Sequence, residues 1–121
     1  MTKATERDAR YARYLEVLTA AHAAADNAQA GMVENMNAFD CGFAWAIVHD
    51  QAFSRWCAAK AKESGNRAFY GSKHYSTGWS FWKPGRFNGQ SIGIHEAGAR
   101  AFRDSLAHAL QCNVEMGSRL D

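Results

Sequence analysis

Cys41–Asp50, CGFAWAIVHD, decides the fold class of this chain. Phe43, Trp45 and Ile47 alternate with Gly42, Ala44 and Ala46, the two-residue period of an extended strand. Such a strand has one bulky face and one nearly smooth face, and a helix can approach the smooth one closely. Asp50 follows as a helix N-cap, its carboxylate placed to accept from free amides of the first turn. The helix it opens is predicted to run to about Glu63, with Phe53, Trp56, Cys57 and Ala61 on the buried side. Ser64, Gly65 and Asn66 end it.

Upstream of that strand the period is helical. Tyr11, Tyr14, Leu18, Ala21, Ala25, Ala28 and Met32 recur at spacings of three and four, predicting a long helix over about Glu6 to Gly31. Thr5, with Asp8 three residues on, reads as its start. Its stripe is mostly alanine after Leu18, so another helix, in this chain or a second copy, can pack close. MVENMN beyond Gly31 either continues the helix or forms a separate turn.

Downstream, Arg67 to Thr77 reads as a short strand and turn, followed by a strand over Thr77 to Trp82. Pro84 and Gly85 stop that strand, and Asn88-Gly89 marks a second turn. A last helix is expected from near Ile94 or His95 to Leu110, with Glu96, Arg100 and Asp104 as a surface charge ladder. CNVEM alternates again and predicts a closing strand, broken by Gly117, with Ser118 to Asp121 as a tail. The order predicts an α+β fold: a small mixed or antiparallel sheet covered by helices, with a long N-terminal helix. One domain is expected over 1–121, a helical arm at 1–32 and an α+β core at 38–121.

The formal charge is only +2, from fourteen basic and twelve acidic residues, so no global field holds the chain on a phosphate backbone. Any nucleic-acid role must come from local placement. No apolar run is long enough to span a membrane, and the charged start MTKATERDARYARY lacks the apolar segment of a signal peptide. Cys41, Cys57 and Cys112 are odd in number and widely spaced, which suggests free thiols. A cytoplasmic location is the expectation.

Gly78–Gln90, GWSFWKPGRFNGQ, is the candidate site. Trp79 and Phe81 suit the buried face of a strand, which leaves Trp82 and the basic turn for a partner. The predicted partner surface is Trp82, Lys83, Arg86, Phe87 and Gln90, with Tyr75 nearby. Aromatics supply desolvated contact there, cations orient an acidic group, and Gln90 makes directional hydrogen bonds. Protein binding with self-association is the leading expectation, and single-stranded nucleic-acid binding by the same residues is the alternative. A third reading is a small enzyme or anion site at His95, Glu96, Arg100 and Arg119, where Glu96 would exchange a proton. No metal or cofactor is expected: the HExxH, zinc-knuckle, GxxxxGK[ST] and GxGxxG patterns are all absent.

CGFAW at Cys41–Trp45, WKPG at Trp82–Gly85, NGQS at Asn88–Ser91, EAGARAF at Glu96–Phe102 and GSRLD at Gly117–Asp121 resemble segments of a group of small uncharacterised bacteriophage proteins. The likeness covers about the last two thirds of the chain and leaves out the first helix. It implies a viral origin and an accessory role in infection, with no activity attached. The stretch GQSIGIHEAGARAFRDSLAHAL is also loosely similar to the end of a double-stranded RNA-binding domain. Ile92, Gly93, Ile94 and His95 stand where that domain has a basic cluster, so its function is not implied.

Overall fold

The computed structural model describes residues 2–33, 40–74 and 77–120. Helix α1 (Lys3–Val33) is followed by β1 (Gly42–His49), α2 (Gln51–Ser64), the single turn α3 (Arg67–Tyr70), β2 (Ser72–Lys73), β3 (Trp79–Trp82), α4 (Ile92–Leu110) and β4 (Asn113–Leu120). The fold is α+β. Its four strands form one antiparallel sheet in the order β2-β3-β1-β4, the split βαβ arrangement, with α1 added in front.

The smooth face of β1 does receive the helices. Ala44, Ala46 and Val48 are fully buried, and Ala46 and Val48 pack with Phe81 of β3 and Val114 of β4 in the main hydrophobic cluster. Tyr14, Leu18, Ala21 and Ala25 of α1 enter the same cluster beside Phe53, Trp56 and Cys57 of α2 and Phe102 and Leu106 of α4. So α1 is an arm only in its exposed first turns, Lys3 to Arg13, and part of the core thereafter. Even there Arg13 donates to the Ala109 carbonyl at 2.9 Å.

Helix ends follow local chemistry. The Asp50 carboxylate accepts from the Phe53 amide at 2.9 Å, and Ser91 caps α4 through the Ile94 amide. At α1 the capping hydroxyl is Thr2, which accepts from the Thr5 amide; Thr5 itself lies inside the helix. The expected strand near residue 70 is instead the turn α3 and a two-residue β2, because Asn66 caps a new helical turn through the Phe69 amide. Residues 34–39, the rest of MVENMN and its continuation, lie outside the described residues.

Two further expectations are corrected. Gly117 does not break the last strand, which runs through it to Leu120. A Cβ at Gly117 would stand 2.7 Å from the indole of Trp45, so glycine is there to let that ring lie across the strand. The charge ladder on α4 is also absent: Glu96 accepts from the Ser118 hydroxyl at 2.7 Å, and Asp104 pairs with Arg103 at 2.9 Å.

Candidate functional site

Because even-numbered residues of β1 face the helices, Phe43, Trp45, Ile47 and His49 face the other way. Register places Trp82 and Gly117 beside Trp45, Ser80 and Glu115 beside Ile47, and Arg119 beside Phe43 on that face. No helix among the described residues covers it. Trp82 is 52% exposed, and Phe43 and Trp45 are half-buried.

The rings form one platform. Trp45 and Trp82 lie nearly parallel, 5.7 Å between centroids and 16° between planes. Phe43 tilts against Trp82 at 5.2 Å, and the Arg119 guanidinium sits 5.9 Å from the Phe43 ring centre. A depression of about 380 Å³ opens on the platform, lined by Trp45, Trp82, Ser80, Arg119, Lys73 and His74. Lys73 also lines a second concavity of about 600 Å³ around the β2 edge, shared with Lys62 and Arg67. At the far end of the face, His49 and Glu115 are bonded at 2.8 Å.

The residues predicted around the turn separate. Trp82 belongs to the platform, and the Lys83 amide extends the β1–β3 pairing by donating to the Ala44 carbonyl at 3.0 Å. Beyond Gly85 (φ 104°) the chain lies against α1, where Arg86 pairs with Asp26 at 3.3 Å. Trp82, Lys83 and Arg86 share the wall of a cleft of about 420 Å³ with Asp26, His22 and Phe69. Phe87 is half-buried against the His95 ring at 5.1 Å. Gln90 is exposed and accepts from the Cys41 thiol, while its carbonyl accepts from the Gly42 amide at 2.8 Å. Tyr75 lies outside the described residues.

The residues of the enzyme reading do not converge. His95 is buried and bonded through Nε2 to the Gly89 carbonyl at 2.8 Å, which braces the 87–91 loop. Glu96 is held by Ser118 on the helix side of β4, Arg100 is exposed on α4, and Arg119 stands on the opposite face of the sheet. Burial pushes the Cys57 thiol up strongly, and burial and Asp50 raise Cys112, so both are held as inert thiols. Among the described residues no group of three His, Cys, Asp or Glu side chains comes together as a metal site would require.

Sequence reasoning passed over two residues here: Gln29, which organises the turn, and His22, which lines the cleft beside it. Gln29 is 2% exposed; its Nε2 donates to the Pro84 carbonyl at 3.0 Å, and its Oε1 accepts from the Phe87 amide at 3.0 Å. Gly85 and Gly98 make room for it, since a Cβ at either would overlap its amide. His22 bonds the Phe69 carbonyl at 2.8 Å and stacks on the Phe69 ring, and burial holds its pKa below 6.5. The third ring of the platform, Phe43, is legible in the sequence as part of the bulky face of β1, but its contact with Trp82 follows only from the strand order.

No helix of the described residues is long and apolar enough to cross a membrane. No family model, curated protein or solved structure matches the chain.

Proposed function

We propose that this chain is a non-catalytic binding module that takes single-stranded nucleic acid on the open face of its sheet, in the accessory bacteriophage role its sequence resemblance implies. The observation that carries this reading is the platform of Phe43, Trp45 and Trp82, side by side on the two central strands with no helix of the described residues over them. Unpaired bases are flat and apolar on both faces, and aromatic rings on a four-stranded sheet are a known way to stack them. Strand parity turns Trp79 and Phe81 inward and so keeps them off this surface; β1 supplies the other rings instead.

Cations lie beside the rings: Arg119 on β4 stands on the platform face, while Lys73 on the edge strand β2 pairs with Trp79, turns toward the helix side and lines both the platform depression and, with Lys62 and Arg67, the concavity around that edge. Phosphates would follow that edge while bases lie on the rings. With a net charge of only +2, binding is expected to be modest and steeply weakened by salt.

Fluorescence anisotropy of labelled oligo-dT and oligo-U at low salt tests this. Trp82→Ala should weaken binding roughly tenfold, the loss of about one stacked base. Lys73→Ala should reduce the salt slope by about one phosphate contact. Equal affinity for duplex, or no effect of Trp82→Ala, would overturn the reading. Self-association, also expected from the sequence, is favoured by a different observation, the outer edge of β4, which no strand among the described residues pairs with.

A further inference from the structure

We infer that a second copy of this chain pairs with the outer edge of β4, related by a two-fold axis at Gly117, to join two four-stranded sheets into one. Strand β4 is eight residues long and lies at the end of the sheet, with β1 as its one partner strand among the described residues. An edge of that length, left unpaired by every described strand, is a template for another strand.

The direction of its backbone groups follows from the ladder. The Lys83 amide donates to the Ala44 carbonyl, so Ala44, and by alternation Ala46 and Val48, turn their peptide groups toward β3. Phe43, Trp45 and Ile47 turn theirs toward β4, where their partners are Arg119, Gly117 and Glu115. That leaves Val114, Met116, Ser118 and Leu120 with N–H and C=O groups directed outward.

An antiparallel copy centred on Gly117 uses all of them: Met116 exchanges hydrogen bonds with Ser118 of the second copy, and Val114 with Leu120. In that register Glu115 stands directly opposite Arg119 of the second copy, at a non-hydrogen-bonded position, where side chains approach most closely. The two-fold repeats the pair. Centring on Met116 or Ser118 instead also satisfies outward groups, but Glu115 and Arg119 then no longer face each other. The Gly117 register is thus singled out by charge. It also sets Leu120, 60% exposed in the single chain, against Val114 of the second copy on the helix side.

The axis is open to this approach because Gly117 has no side chain and the Trp45 ring lies over it. In the dimer the two aromatic platforms share one continuous face, although the pairing itself stands without the nucleic-acid reading.

Light scattering of the full chain over a concentration series, without nucleic acid, tests the pairing. The wild type should approach twice the 13.4 kDa chain mass. Glu115→Arg sets arginine against Arg119, and Arg119→Glu sets two carboxylates opposite each other. Each should raise the dimer dissociation constant by about tenfold, since both pairs turn from attraction to repulsion. The double variant Glu115→Arg/Arg119→Glu should restore the dimer, with circular dichroism confirming that all three variants are folded. A monomer at every concentration overturns the inference, and so does a dimer that neither single reversal weakens or the double does not recover.

Discussion

Gln29 shows how one polar side chain can set the shape of a surface. It sits where α1, α4 and the 83–87 turn meet, donating to the Pro84 carbonyl and, at 3.4 Å, to the Ile94 carbonyl, and accepting from Phe87. Replacing it with alanine leaves the part-buried Phe87 N–H and the buried Pro84 C=O without this partner, each worth about 1–3 kcal/mol. Gln29→Ala should therefore destabilise the fold by roughly 3 kcal/mol in urea titration, and the exposure of Trp82, whose strand ends at that turn, should rise in acrylamide quenching. A change within experimental scatter would show that water replaces the amide without loss. None of this was legible in the sequence. The helical stripe there reads through Ala28, and a glutamine beside it has the pattern of a solvated position. Its burial is visible only once Gly85 and Gly98 are known to face it.

Elements were far more legible than their partners. The buried residues of α2 are the expected ones because Phe53, Trp56, Cys57 and Ala61 repeat at helical spacing behind a strong cap. The two faces of β1 were also readable, since alternation is local and Ala44 and Ala46 announce close packing. What local pattern cannot supply is which strand lies beside which, and so Trp45 and Trp82 were named separately without being paired. Gly117 was misread for the same reason: glycine in a strand reads as a break unless the indole covering it is known. The closeness of α4 to β1 can be tested directly. Ala46 is fully buried in that layer, and Ala46→Leu adds volume where neither backbone can retreat. Overpacking of this kind costs about 1–3 kcal/mol, so a loss near 2 kcal/mol in chemical denaturation is expected. The same change at Ala52, exposed on α2, should be nearly silent.

For the molecule as a whole, His22 joins the layers and makes stability depend on pH. Its ring stacks on Phe69 of α3 at 4.7 Å and meets Phe102 of α4 at 5.0 Å and Phe81 of β3 at 6.2 Å, so it joins α1 to two other helical elements and to the sheet. Burial lowers its pKa below 6.5, while the bond to the Phe69 carbonyl and the nearby Asp26 act the other way. The folded state therefore holds imidazole neutral at a pH where the unfolded chain has begun to protonate it. In the window between the lowered folded value and 6.5 the unfolded state binds more protons, and stability rises with pH there. The contribution is complete above that window and is lost as pH falls through it. Thermal melts from about pH 7.5 down to about pH 5 should show a falling midpoint. His22→Phe keeps a ring against Phe69 and Phe102 but cannot titrate, so it should flatten that slope whatever it does to the midpoint itself. An unchanged slope in this variant would assign the acid sensitivity to another group and leave His22 as a packing residue alone.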